Sequence, residues 1–164
     1  MVNRHKQVDN ITAEDLAVAF HEAGHAVAAV LFGGRVRKAV LGDDPRVDCD
    51  VMLERHCAAI TYSGPWAEAR LVHGRRPGPR ELHRVLAGTS DDEALCAAGG
   101  PAAAVGVVAL LERCWPAVER VAVELLVSGQ VGHAEICTAL GLSDEGGPGS
   151  FELACIRSGL RGVS

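Results

Sequence analysis

The chain has 164 residues, 48% of them hydrophobic and 4% aromatic, with a formal net charge of −5. That length and apolar content fit one domain with a real core, and the acidic balance argues against a nucleic-acid partner. Six cysteines without a C-x-x-C pair give no support to a cysteine zinc site.

The opening stretch MVNRHKQVDN lacks the apolar core of a signal peptide. The longest apolar run, PAAAVGVVALL, is too short to cross a bilayer. The chain is therefore expected to be cytoplasmic, with no membrane partner and with its thiols mostly reduced and buried. Residues 1–11 are expected to be a flexible N-terminus, 12–142 one domain and 143–164 a loose tail.

NITAEDLAVAFHEAGHAVAAVLFGG reads as one long helix. Thr12 and Asp15 form a capping-box pattern; Leu16, Phe20, Val27 and Leu31 recur at helical spacing; Gly33-Gly34 is a stop signal. RVRKAVL reads as a short strand, and GDDPRVDCD as a turn or loop. A second helical region runs from about Val51 to Val72, bent near Gly64-Pro65. HGRRPGPRELHRVLAG is a basic connection broken by Pro and Gly. A third helix begins near Ser90, with Asp91, Asp92 and Glu93 in the first turn, where negative charge suits the helix dipole. Two more helices separate at Pro116, and HAEICTALGL is a short last one.

The first helix contains the residues that carry chemistry. In HEAGH, His21 and His25 stand four apart and so share one helix face. They can present two imidazole nitrogens to one ion, which is why H-E-x-x-H on a helix marks zinc proteases. Glu22 is rotated by about 100° from His21. It sits poorly for coordination but well for taking a proton from water, the general-base role. An otherwise apolar helix would not bury two histidines and a glutamate without partners. A zinc hydrolase needs a third protein ligand and an open fourth position. Asp48, Asp50, Glu54, Glu68, Asp91 and Asp92 are all candidates for the third.

FHEAGHAVAAVLFGGRVRKAVL resembles the first helix and strand of the peptidase domain of FtsH-type, ATP-dependent zinc metalloproteases. ITYSGPWAEARLVHG resembles that family's Gly-Gly-Arg-x-Ala-Glu-Glu helix, and AGTSDDEALCAA its Gly-Ala-Ser-Asn-Asp segment. The closing helices are echoed by VERVAVELLVSGQVGHAEICTAL, so the likeness spans roughly residues 12 to 142. The resemblance implies a mainly α, zincin-type helical metallopeptidase domain with a small β element after the HExxH helix. It implies Zn2+ held by His21, His25 and Asp92, with Glu22 as general base and Glu68 orienting a histidine ligand. Other zincins use Gly-Thr-x-Asp for the third ligand, and Gly88-Thr89-Ser90-Asp91 fits that pattern, which makes Asp91 the alternative.

The family's ATPase module has no counterpart here, since no G-x-x-x-x-G-K-[ST] occurs, and the Gly-Gly-Arg has become Ser63-Gly64-Pro65. The expected function is hydrolysis of peptide bonds in peptides or unfolded protein, cut directly or delivered by a partner. The alternatives are a zinc hydrolase of a non-peptide small molecule and a non-catalytic zinc-binding interaction module. A peptide substrate could add to the strand around Val36 to Leu41. His56, His73, His83 and His133 have ordinary surface readings, and Trp66 and Trp115 read as packing. The arginines of HGRRPGPRELHR read as a solvated loop or as a grip on an acidic partner.

Overall fold

A computed structural model describes residues 11–51 and 54–164. The expected flexible N-terminus falls almost wholly outside these residues. The protein is mainly helical with one small antiparallel sheet.

Helix α1 (Ala13–Leu31) is the centre of the molecule. The Thr12 hydroxyl accepts from the Asp15 amide, and the Asp15 carboxylate accepts from the Thr12 amide, so the capping box forms as expected. From Ala19 to Leu31 nearly every side chain is buried, and five of those positions are alanine. Small side chains let neighbouring helices approach from several sides, and α2 (Cys57–His73) and α6 (Trp115–Ser128) pack directly on α1. Of the four helical-period apolar residues, Phe20, Val27 and Leu31 are buried, while Leu16 in the first turn stays exposed.

Strand β1 (Arg35–Val40) follows α1 directly. It pairs antiparallel with β2 (Arg46–Val51) on one side and with the two-residue β3 (Gln130–Val131) on the other. The expected loop GDDPRVDCD is thus half strand. Val47 packs on the core, and Lys38 pairs across from Asp48, which gives this polar segment its register.

Helix α2 continues through Pro65. A short 3-10 turn at Glu54–His56 leads into it. The basic connection also contains an unforeseen helix, α3 (Pro79–Leu86), which starts with Pro at its first position and buries Leu82 and Leu86. Helix α4 (Ser90–Ala97) begins at Ser90 as expected. After a 3-10 segment, Pro101–Val107, come α5 (Val108–Arg113), α6, α7 (His133–Leu140) and α8 (Phe151–Ser158).

Helix α8 corrects the reading of residues 143–164 as loose. Leu153 and Ile156 are fully buried, and the Arg157 guanidinium donates to the Leu31 carbonyl at the end of α1. The Ser150 hydroxyl caps the helix, and Glu152 accepts from the Ser143 and Asp144 amides. The six cysteines are free thiols, Cys114 and Cys137 buried, Cys96 exposed and the others intermediate. Among the described residues no helix is long and apolar enough to cross a membrane.

Candidate metal centre

The crossing of α1 and α2 sets the site. Gly24 faces the Ser63 carbonyl and the Ala67 methyl so closely that a Cβ on it would stand 2.4 Å and 2.8 Å from them. On the other helix, a Cβ on Gly64 would stand 2.3 Å from Nε2 of His25. Two glycines thus let the helix backbones meet beside the HEAGH turn, closer than any other residue type permits.

The close approach fixes both imidazoles from behind. Nδ1 of His25 donates to the Ile60 carbonyl at 2.8 Å, and Nδ1 of His21 lies 2.9 Å from Glu68 Oε2. Both acceptors are on α2. Pro65 has no amide, so the Thr61 carbonyl one turn earlier lacks its usual helical donor. Thr61 lines the same cavity as the histidines.

With each Nδ1 engaged, each Nε2 turns to the front, where α4 meets it. Asp91 Oδ2 lies 2.9 Å from Nε2 of His21 and 3.4 Å from Nε2 of His25. Ligand atoms from His21, His25 and Asp91 all lie within 4.8 Å of one another, as is required of atoms sharing one ion. Two atoms held about 2.0–2.1 Å from one tetrahedral ion stand about 3.4 Å apart. The residues present therefore fit a divalent metal, and two imidazoles with one carboxylate is a zinc-hydrolase donor set.

Asp92, the favoured third ligand, is not at the imidazoles. Thr89 is the N-cap of α4, and its hydroxyl accepts from the Asp92 amide at 3.2 Å. The Asp92 carboxylate turns back toward the Gly88 amide and the Cys96 thiol. Asp91, the alternative residue, is the one beside the histidines. Among the other acidic candidates, Asp50 pairs with Arg37, Asp48 with Lys38 and Arg46, and Glu54 is exposed.

The electrostatics of the cluster are strongly coupled. Burial pushes His21 down, but its bonds to Asp91 and Glu68 outweigh that and raise it to about 9. Burial pushes Asp91 up, and the two histidines outweigh it, holding its carboxyl well below the ordinary aspartate value. Glu22 is only 7% exposed. Burial raises its pKa above the usual glutamate value, with His25 and His21 opposing. It lines the same cavity of about 400 Å3, together with Pro45, Val47 and Cys49 of the β2 edge.

Residues 2–46 match the family model described as Peptidase M50B-like. No curated protein matches the chain. The match spans the HEAGH helix, β1 and the start of β2, and it supports metallopeptidase function in general and with it a metal cofactor. It does not single out the FtsH type.

Sequence reasoning singled out His21, Glu22, His25, Glu68 and Asp91, which the fold gathers at one place. It missed the Ile60 carbonyl and the contact role of Gly64. A glycine inside an apolar helix was the available signal for the latter. Among the remaining described histidines, His56 stacks on Phe32, His73 pairs with Glu81, His133 accepts from the Val36 amide and faces the Glu145 carbonyl, and His83 is exposed. Trp66 is core, and Trp115 packs on Phe20 with Arg70 over its ring.

Proposed function

We propose that this protein is a zinc-dependent metallopeptidase that hydrolyses peptide bonds, with the metal held by His21, His25 and Asp91. The observation that carries the reading is the convergence of two imidazole Nε2 atoms and one carboxylate oxygen, each imidazole held from behind by α2. A metal bound by this set acts as a Lewis acid and lowers the pKa of water toward about 7. Glu22, buried on the cavity wall next to the histidines, takes a proton from water and returns it to the leaving amine. Glu68 keeps His21 in one orientation and strengthens it as a ligand. Thr89 caps α4 by accepting from the Asp92 amide and so aims Asp91 at the site.

The shape of the cavity favours a peptide over a small closed-in molecule. β1 is flanked by β2 along its length and by β3 at Ala39 and Val40, so the strand first considered for substrate addition has no full edge open among the described residues. β2 is an edge strand among the described residues, and Pro45, Arg46, Val47 and Cys49 line the cavity beside His21 and Glu22. An extended peptide can pair with β2 and pass its backbone over the metal centre. The order of the α2 and α4 segments along the chain supports kinship with the FtsH-type peptidase domain, working in the cytoplasm. Asp91 in a Gly-Thr-x-Asp register departs from that family's pattern.

Metal analysis of Asp91→Asn and Asp92→Asn tests the ligand set. Asp91→Asn loses zinc while Asp92→Asn keeps it. Equal zinc content in both variants refutes the assignment. Cleavage of a diverse peptide library by the wild type and Glu22→Gln tests the chemistry, and turnover by Glu22→Gln at the wild-type rate refutes the general base.

A further inference from the structure

The basic stretch between α2 and α4 takes no part in the metal centre, yet the fold organises it. Helix α3 buries Leu82 and Leu86 and leaves Arg80 and Arg84 exposed, four residues apart on its outer face. Arg75 joins them, and the three arginines with Gly78, Pro79 and Glu81 line a cavity of about 540 Å3.

The one carboxylate there is already engaged. Glu81 receives a two-pronged bond from Arg75 at 2.6 Å and 3.1 Å, and its Oε2 also accepts from the Gly78 amide that starts the helix. Arg80 and Arg84 have no acidic partner among the described residues, and neither does Arg76 beside them. Like charges at this spacing disfavour a helix, and a cation in the first turn opposes the helix dipole. The chain thus holds uncompensated positive charge on a helix that it weakens, in a protein whose formal net charge is −5. An anionic partner relieves both penalties.

We propose that α3 is a docking site for an acidic segment of polypeptide, gripped by Arg80 and Arg84 with Arg75 at the cavity's edge. Carboxylates match these guanidinium groups in pairs. A nucleic acid fits less well, because residues 73–87 contain no Phe, Tyr or Trp for base stacking. Residues 87–90 join α3 directly to Asp91, and α3 also packs on α2, which bears Glu68. A segment held on α3 is therefore tethered to the element that completes the metal centre. The role as a substrate-recruiting surface rests on the peptidase reading; the docking itself does not.

The test is fluorescence anisotropy of labelled decaglutamate with the full chain carrying Glu22→Gln, next to labelled decaglutamine and a labelled ten-nucleotide single-stranded DNA. Decaglutamate binds at least about tenfold more tightly than decaglutamine at low salt, and the preference fades as salt is raised. The double variant Arg80→Gln/Arg84→Gln abolishes the preference while circular dichroism and zinc content stay unchanged. Removing two other arginines, Arg35→Gln/Arg55→Gln, leaves it intact. Equal binding of the two peptides, an unaffected double variant, tighter binding of the DNA, or displacement by micromolar inorganic phosphate each overturns the proposal. Cleavage by the wild type of one peptide with and without an acidic tail separates the two readings. Cleavage that ignores both tail and arginines sinks the substrate-recruiting role alone, and docking by a chain that cleaves nothing sinks the peptidase reading alone.

Discussion

Gly64→Ala is the smallest change that should dismantle the metal centre. The added methyl would stand 2.3 Å from Nε2 of His25, 2.5 Å from Cε1 and 2.7 Å from Cδ2. Non-bonded heavy atoms of this size settle about 3.5 Å apart, so the ring has to retreat by roughly 1 Å. That retreat breaks the 2.8 Å bond to the Ile60 carbonyl, worth about 1 kcal/mol, and carries Nε2 out of coordination range, where tolerance is about 0.2 Å. Loss of one of three protein ligands is expected to weaken zinc binding by at least about 100-fold, or about 2.8 kcal/mol. Helix propensity works the other way, since Gly to Ala inside a helix is worth about 0.8–1.0 kcal/mol. The variant should therefore stay folded while losing its metal. Competition against a chromophoric chelator measures the affinity and circular dichroism the fold. Gly106→Ala, with no atom within 4 Å of the new methyl, is the control. Zinc binding by Gly64→Ala within about threefold of the wild type refutes the close-approach argument.

Further outcomes follow from the same geometry. Glu68→Gln removes the carboxylate behind His21 and should cost about 10–100-fold in zinc affinity, read by the same competition assay. In the metal-free protein His21 is raised from 6.5 to about 9, so at neutral pH it carries a proton that an incoming metal displaces. Calorimetry in buffers of different ionisation enthalpy should find about one proton released from this residue, and zinc affinity should fall as pH drops below about 9. Because this shift is upward, the stability it contributes to the metal-free protein is full below 6.5 and is lost as pH rises through about 9. Melting temperatures across that range show it. Leu153→Ala empties a fully buried site and should cost about 2–5 kcal/mol by chemical denaturation; a loss under about 0.5 kcal/mol would restore residues 143–164 to a loose tail.

What the sequence disclosed and what it withheld divide along a physical line. The HEAGH helix was legible because its chemistry and its periodicity lie within one element, and the Thr12–Asp15 box marked its start. The β2 strand and α8 were hidden because their apolar content is sparse. Val47 reaches the core from the polar GDDPRVDCD, and α8 docks through Leu153 and Ile156 with polar bonds from Arg157 and Glu152 supplying the rest. Partners that distant in sequence leave no local pattern.

The choice between Asp91 and Asp92 turns on helical phase. The two residues differ by about 100° around α4, so only one can face the histidines. Thr89 decides which. As N-cap its hydroxyl claims the amide three residues on, and that residue's carboxylate folds back over the cap. A Thr at the cap thus commits Asp92 to the helix end and leaves Asp91, one step earlier, to face the imidazoles. On this argument Thr89→Ala frays the first turn of α4 and loosens Asp91 with it. Zinc affinity should then fall even though Thr89 makes no contact with the ligand atoms. Unchanged affinity in that variant would show that packing of α4, not its cap, sets the phase.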